Sequence, residues 1–131
     1  MKSESMNAKR FIRRWVVIIL VLASLACQKS QVKTQLQVGV WAAQNDLWEE
    51  AIFHWKKVLE IKPDSAAAHN NLGVAYEKKG LWEEALKEYE QALKLTPKNT
   101  YVESNLKKIR KKMKDAAQPE SKGKPSEKEK K

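Results

Sequence analysis

A five-residue segment occurs twice in this chain, and the two copies begin 34 residues apart. Leu47-Trp48-Glu49-Glu50-Ala51 returns as Leu81-Trp82-Glu83-Glu84-Ala85. The same offset relates five further pairs: Leu59 and Leu93, Ile61 and Leu95, Pro63 and Pro97, Asn71 and Asn105, Leu72 and Leu106. A fixed period of this length predicts a repeat architecture, in which each unit buries its apolar face only by stacking on its neighbour.

The apolar residues between positions 32 and 114 recur with the 3.6-residue period of α-helices and divide into five segments. The first is predicted over Val32–Gln44. Asp46 is predicted to cap the N-terminus of the second, with Glu49 as its capping-box partner, and Pro63 to end it. The third follows Asp64-Ser65 and ends at Gly80, which can adopt a left-handed conformation. The fourth covers about 81–95, and the fifth begins after Asn99-Thr100.

These segments carry a recognisable signature. In the second unit it reads Asn71-Leu72-Gly73-Val74-Ala75-Tyr76, then Ala85, Tyr89, Ala92 and Pro97. In the first unit the matching positions hold Val38, Gly39, Ala42, Ala51, Trp55, Val58 and Pro63. This pattern resembles the tetratricopeptide repeat. The resemblance implies an all-α solenoid of two TPR-like helix-turn-helix repeats, at 32–65 and 66–99, followed by a C-terminal capping helix at 100–114.

The predicted capping helix has one apolar face and one basic face. Its apolar face holds Val102, Leu106, Ile109 and Met113, and most other positions are Lys or Arg. End repeats need a polar outer surface to stay soluble. Residues 115–131 are rich in Lys, Glu, Ser and Pro, so we expect a disordered Lys-rich tail there.

The N-terminal 26 residues have the organisation of an export signal. Five basic residues within positions 2–14 precede an uncharged apolar run, Trp15–Ala26, which ends in small residues. Twelve helical residues rise only about 18 Å, short of a hydrocarbon core of about 30 Å, which disfavours a stable membrane span. We therefore interpret 1–26 as a signal peptide.

The segment Ala23-Ser24-Leu25-Ala26-Cys27 resembles the lipobox of bacterial lipoprotein signal peptides, although Ser24 stands where the family usually has a bulky aliphatic residue. The resemblance implies that Cys27 is lipidated and becomes the first residue of the mature chain, with 27–31 as the lipidated Cys and a short linker. In that family Asp after the Cys retains the protein in the inner membrane, so Gln28 favours the outer membrane. An uncleaved signal anchor and ordinary secretory cleavage are the alternatives.

Nothing in the sequence has the spacing of a catalytic or metal site. His54 and His69 are the only histidines, and they fall on different predicted helices. His54 occupies the position equivalent to Glu88, which indicates a solvated face, whereas His69 is predicted to be partly buried. Glycine-rich phosphate loops and nucleophile motifs are absent, and one cysteine cannot form an internal disulfide. We expect no enzyme activity, cofactor or metal.

Tetratricopeptide repeats bind extended peptides or helices in a concave groove lined by the first helix of each repeat. The resemblance assigns this groove to ten positions: Leu36, Val40, Ala43, Asn70, Asn71, Val74, Lys78, Tyr101, Asn105 and Lys108. Because Leu36 and Val40 replace the Lys and Asn of family members that clamp a C-terminal carboxylate, a full clamp of that kind is not expected. Self-association through the first repeat is an open alternative.

The formal charge of +10 belongs to the ends of the chain. Residues 28–106 carry ten Lys/Arg and eleven Asp/Glu, whereas residues 107–131 carry eleven and four. No aromatic residues interleave this basic end, and an export signal separates it from nucleic acid, so nucleic-acid binding is not expected. Anionic lipids or acidic envelope polymers suit it better, and a purely solubilising role is the alternative.

The sequence therefore predicts a non-catalytic lipoprotein of the bacterial cell envelope that binds protein partners in a membrane-associated assembly. The alternative is a bitopic, signal-anchored membrane protein whose repeat domain is structural and self-associates. Binding of nucleic acid in the cytoplasm would require that the N-terminal segment not be a signal.

Overall fold

The computed structural model describes residues 2–117, with side chains described from residue 11 onward. Five helices account for all regular structure in that range: α1 Lys2–Gln44, α2 Trp48–Ile61, α3 Ala66–Lys78, α4 Trp82–Leu95 and α5 Thr100–Ala117. The chain forms two compact units, one ending at Pro63 and the other beginning at Asp64. In the first, α1 pairs with α2; in the second, α4 packs against both α3 and α5.

Helix α1 is much longer than the predicted first helix. It begins at Lys2 instead of Val32, so the residues predicted as a linker, 27–31, are helical. No Pro or Gly interrupts the chain before Gly39, and nothing in the local sequence would end a helix between the apolar segment and the first repeat. The interpretation of 1–26 as a cleavable signal stays a prediction.

The stretch Phe11–Gln44 of α1 is long and apolar enough to cross a membrane by length and composition, a property that an N-terminal signal sequence shares. The large apolar side chains of its first half are about half exposed. An 18-residue window of this helix meets that criterion of length and composition, whereas the uncharged run considered in the sequence has twelve residues.

The turns that end α1 and α3 have the same geometry. Asp46 and Gly80 both adopt a left-handed conformation, with φ of 58° and 74°. Leu47 N donates to Ala42 O, and Leu81 N donates to Tyr76 O, each at 2.9 Å. This is the Schellman pattern of a helix C-terminus. Gly80 ends α3 as predicted, but the prediction that Asp46 caps α2 is wrong.

The N-caps of α2 and α4 are Leu47 and Leu81, neither of which supplies a side-chain cap. Asp46 cannot cap α2 because its left-handed backbone closes α1 instead. The caps of α3 and α5 agree with the sequence. Ser65 Oγ accepts from Ala68 N at 3.3 Å, and Asn99 Oδ1 accepts from the amides that open α5.

Each helical hairpin is closed by an aromatic ring against a glycine. Trp55 of α2 lies over Gly39, and a Cβ added there would stand 2.7 Å from Trp55 Cδ1. Tyr89 of α4 lies over Gly73, where an added Cβ would stand 2.6 Å from Tyr89 Cδ1. Both rings are buried. The small residues therefore let the paired helices approach until ring and backbone touch.

Helix α5 covers the second hairpin with the predicted apolar face. Leu106 and Ile109 are buried in one cluster with Ala85 and Tyr89, and Met113 packs at its edge. The helix continues to Ala117, so residues 115–117 are helical although they were assigned to the tail. The rest of the predicted tail, 118–131, lies outside the described residues.

Candidate functional site

The predicted groove residues of the second unit are tied together by polar contacts. Asn105 Nδ2 of α5 donates to Asn70 Oδ1 of α3 at 3.1 Å, and Asn70 is 9 % exposed. This bond satisfies the Asn70 carbonyl oxygen, which would otherwise be costly to bury. These two amides therefore hold α5 to α3, a structural role that the resemblance alone did not assign to them.

Glu77 lies at the centre of a second polar cluster that joins all three helices of this unit. Its carboxylate accepts from Tyr89 Oη of α4 at 3.1 Å and from Lys112 Nζ of α5 at 2.6 Å. Lys108 Nζ lies 3.3 Å from the same carboxylate, whose side chain is 10 % exposed. Lys108, predicted to face a ligand, is thus engaged in an internal ion pair.

The charges around Glu77 set its protonation. Burial alone would raise the pKa of its carboxyl group, but the hydrogen bonds and charges of Lys112 and Lys108 outweigh burial and leave the pKa below its ordinary value. Burial, and then the charge and hydrogen bond of Glu77, raise the pKa of Tyr89. Tyr89 therefore keeps its proton and donates a hydrogen bond to an ionised Glu77 across the neutral pH range.

The remaining predicted groove residues of the second unit differ in how far their side chains are exposed. Tyr101 is 63 % exposed. Asn71 is half-buried, Lys78 is exposed, and Val74 is half-buried against the cluster of Ala85 and Tyr89. Within this unit, Tyr101 and Lys78 are thus the exposed members of the predicted set, and Asn71 is partly accessible.

In the first unit, two predicted groove residues do come together. Leu36 and Val40 line a shallow depression of about 240 Å³ on α1, and Val40 is 40 % exposed. Ala43, the third predicted residue, is half-buried and lies outside this lining. The depression is an apolar surface with amide side chains at its edge.

The ten predicted groove positions do not include the largest residue of this depression. Trp41 lines it and is 58 % exposed. Its equivalents 34 and 68 residues later, Ala75 and Ile109, are fully buried. The sequence contained a signal for this, because aligning the chain on its 34-residue period places Trp41 at a position that holds a small or aliphatic residue in the later copies. Exposed Trp is enriched where proteins bind one another.

The histidines have hydrogen-bonding partners on the facing helix of their own hairpin. His54 Nδ1 lies 2.6 Å from Gln35 Oε1, and His69 Nδ1 lies 2.6 Å from Glu88 Oε2. The prediction of a solvated face for His54 is wrong, since its side chain is only 15 % exposed. His69 is partly buried, as predicted. Among the described residues, no three potential metal ligands cluster.

Cys27, the predicted lipidation site, is exposed on α1. It follows the apolar segment directly, and nothing in the described part of the chain covers it. Its side chain is accessible to a modifying enzyme in this conformation.

Comparison with known proteins agrees with the hairpin geometry. A family model described as a TPR repeat matches residues 44–80, and one described as a tetratricopeptide repeat matches residues 66–99. Residues 44–99 contain tetratricopeptide repeats. The fold is accordingly the all-α TPR fold, and such repeats are generally non-catalytic modules for protein–protein interaction.

Solved TPR structures are similar to this chain. One is the C-terminal TPR-containing domain of a Plasmodium falciparum protein described as FK506-binding, at 27 % identity and a TM-score of 0.65 over 70 % of this chain. Another is MamA from AMB-1, at 27 % identity and a TM-score of 0.59 over 76 % of this chain. This chain spans 60 % of the former and 56 % of the latter.

A third similar structure is the TPR2B domain of yeast Sti1 in complex with pHsp70. It is 16 % identical with a TM-score of 0.63, over 67 % of this chain and 70 % of the domain, and at that identity it shows the fold alone. A search of curated proteins found no match.

Proposed function

We propose that this chain is a membrane-tethered TPR module of the bacterial cell envelope, which binds a peptide or helix of a protein partner. Acylated Cys27 is the tether. The observation that carries the proposal is the pairing of two features in one chain: repeats of a protein-binding fold, and an exposed apolar segment that ends at an exposed cysteine.

Each unit has its own candidate partner surface, on the first helix of its repeat and, in the second unit, also on α5. In the first unit it is the depression around Leu36, Val40 and Trp41. In the second unit it is the exposed or half-exposed set of Asn71, Lys78 and Tyr101. Asparagine can donate and accept, which suits it to hold a peptide backbone, while the apolar residues of α1 bind side chains.

Acylation would anchor the chain durably, because two or three acyl chains hold a protein where one chain is marginal. The intact mass of the membrane-extracted protein tests this step. We expect residues 27–131 plus acyl groups, and the full length of 131 residues for the variant Cys27→Ser. An unmodified full-length mass for the natural sequence would contradict the lipoprotein.

Partner binding is tested by photo-crosslinking in intact cells, with a crosslinking amino acid placed at Val40, at Tyr101, or at Lys56 as a control on the exposed side of α2. We expect one protein to be captured from positions 40 and 101 but not from position 56. Equal capture from all three positions would contradict a defined surface.

The continuity of α1 favours one further candidate, a bitopic protein whose repeat domain self-associates. An uncleaved helix from Lys2 to Gln44 could cross the membrane and carry the repeats directly. Full-length mass in the membrane, together with crosslinks between two copies at Val40, would favour this candidate.

A further inference from the structure

A second and larger groove lies in the first unit, on a different part of α1 from the depression around Trp41. It has a volume of about 670 Å³ and is formed along α1 from Leu25 to Gln37 and by the C-terminal end of α2. This volume lies within the usual range of small-molecule sites.

The floor of the groove is apolar. Four aliphatic side chains line it: Leu25, Val32, Leu36 and Ile61. The three on α1 recur at spacings of seven and four, so they form one continuous stripe along the helix. A stripe of this shape matches an extended hydrocarbon chain, which needs contact area and no hydrogen bonds.

The rim of the groove is basic. Three lysines line it, Lys29, Lys33 and Lys62, and no acidic residue does. None of these three ammonium groups forms a salt bridge within the described part of the chain. On α5, by contrast, Lys107, Lys108 and Lys112 all pair with carboxylates. The positive charge of the groove is therefore uncompensated, and it is complementary to an anion.

The groove begins where the apolar segment ends. Leu25 belongs to the last turn of that segment, and Lys29 and Lys33 follow Cys27 by two and six residues. At about 1.5 Å per residue they lie about 3 and 9 Å further along the helix. A chain held in a membrane at this point has both lysines at the depth of the lipid head groups, where long basic side chains favour phosphate.

We propose that this groove binds an anionic phospholipid of the membrane that holds the chain. One acyl chain lies along the aliphatic stripe, and the lysines Lys29, Lys33 and Lys62 bind the phosphate. The proposal rests on the proposed function for its membrane location. Removal of residues 1–26 would take away Leu25 and leave the three lysines and the other aliphatic residues in place.

Native mass spectrometry of the full chain, extracted in a non-ionic detergent, tests the site. Phosphatidylglycerol and phosphatidylcholine with identical acyl chains are added in equal amounts. We expect retained phosphatidylglycerol adducts in clear excess. At about 1 kcal/mol per basic residue near a membrane surface, the variant Lys29→Gln/Lys33→Gln/Lys62→Gln should reduce that preference by about a hundredfold.

A matched control removes the same charge elsewhere. Lys56→Gln/Lys87→Gln/Lys98→Gln changes three exposed lysines outside the groove, and the preference should persist. Val32→Glu places a carboxylate on the floor, and it should reduce retention of both lipids. Circular dichroism establishes that each variant is folded.

The outcomes separate the site from the proposed function. Equal retention of the two lipids by the natural sequence, or an unchanged preference in the groove variant, overturns the site. Competition by inorganic phosphate as effective as that by phosphatidylglycerol also overturns it, because the acyl chain then contributes nothing. Membrane attachment is read separately from the mass at Cys27 and from sedimentation with membranes, so its failure contradicts the proposed function only.

Discussion

The hairpins α1–α2 and α3–α4 place equivalent positions in the same environment and fill them with different residues. Trp55 and Tyr89 occupy the same buried position, each against a glycine. Gln35–His54 and His69–Glu88 are equivalent pairs, both 2.6 Å apart, in which the histidine has changed helices. The backbone geometry thus determines which positions are in contact, and different pairs of side chains can form the contact at each of these positions.

The hairpins differ in the residue at the left-handed position of the turn and in the contacts of the position that Glu77 holds in α3. Asp46 holds the left-handed position that Gly80 holds in the second hairpin. Ala43 is the equivalent of Glu77, whose carboxylate receives three donors from α4 and α5. In the first hairpin the buried ring donates one hydrogen bond to the facing helix, from Trp55 Nε1 to Leu36 O at 3.4 Å, whereas the second hairpin has a charged network around Glu77.

The largest effect is expected at the ring–glycine contacts. Gly39→Ala and Gly73→Ala should each reduce the free energy of unfolding by about 1–3 kcal/mol, because an added methyl would collide with a buried ring. The better helix propensity of Ala offsets at most about 1 kcal/mol of this loss.

Urea unfolding followed by circular dichroism measures both variants, with Lys87→Ala on an exposed helical surface as the control. If the free energy of unfolding changes no more than in the control, the rings of Trp55 and Tyr89 can move aside, and close approach of the paired helices is not required for stability. A much larger effect at Gly39 than at Gly73 would show that the tryptophan is the less adaptable ring.

The Glu77 network should give an intermediate, pH-dependent effect. The folded-state pKa of Glu77 is lowered, so its contribution to stability is present above the unfolded pKa of about 4.5 and is lost as the pH falls through the folded value. Glu77→Gln should cost about 1–2 kcal/mol at pH 7. The difference from the natural sequence should shrink below pH 4.

Unfolding curves at pH 7, 5 and 3 measure this difference, and Glu84→Gln on an exposed surface of α4 is the control. A cost for Glu77→Gln that is the same at all three pH values would rule out ionisation as its source and leave only the hydrogen-bonding geometry.

The smallest effects are expected at the turns, and they should have opposite signs. Gly80→Ala places a Cβ on a residue with φ of 74° and should cost about 1 kcal/mol. Asp46→Gly relieves the equivalent residue and should add a few tenths of a kcal/mol, because Asp tolerates this conformation better than most residues. The thermal unfolding midpoint of each variant measures these effects. If both midpoints shift in the same direction, the two turns are not equivalent.

The candidate surface was only partly predictable from the sequence. The resemblance named Asn70, Asn105 and Lys108 as groove residues, but it could not show that the two amides bond to each other or that Lys108 pairs with Glu77. Such contacts join residues 31–35 positions apart, and they depend on how α3 and α5 meet. Trp41 is not among the predicted groove positions, and its exposure depends on how little of the folded first unit packs over it.

The sequence alone determined the repeat period, the helical hairpins and most of the buried positions, because these follow from local periodicity, proline and glycine placement and side-chain size; Leu47, predicted to be buried by α2, is 47 % exposed. The sequence also marked the N-terminal segment as apolar, and its interpretation as an export signal stays a prediction. The structure showed that α1 runs unbroken from that segment into the first repeat, as the absence of Pro and Gly before Gly39 allows, and that Asp46 closes one helix instead of opening the next. It also decided which polar residues satisfy each other and which remain available. Which polar residues meet depends on the distances between facing helices. The periodicity of a linear sequence specifies only part of that arrangement.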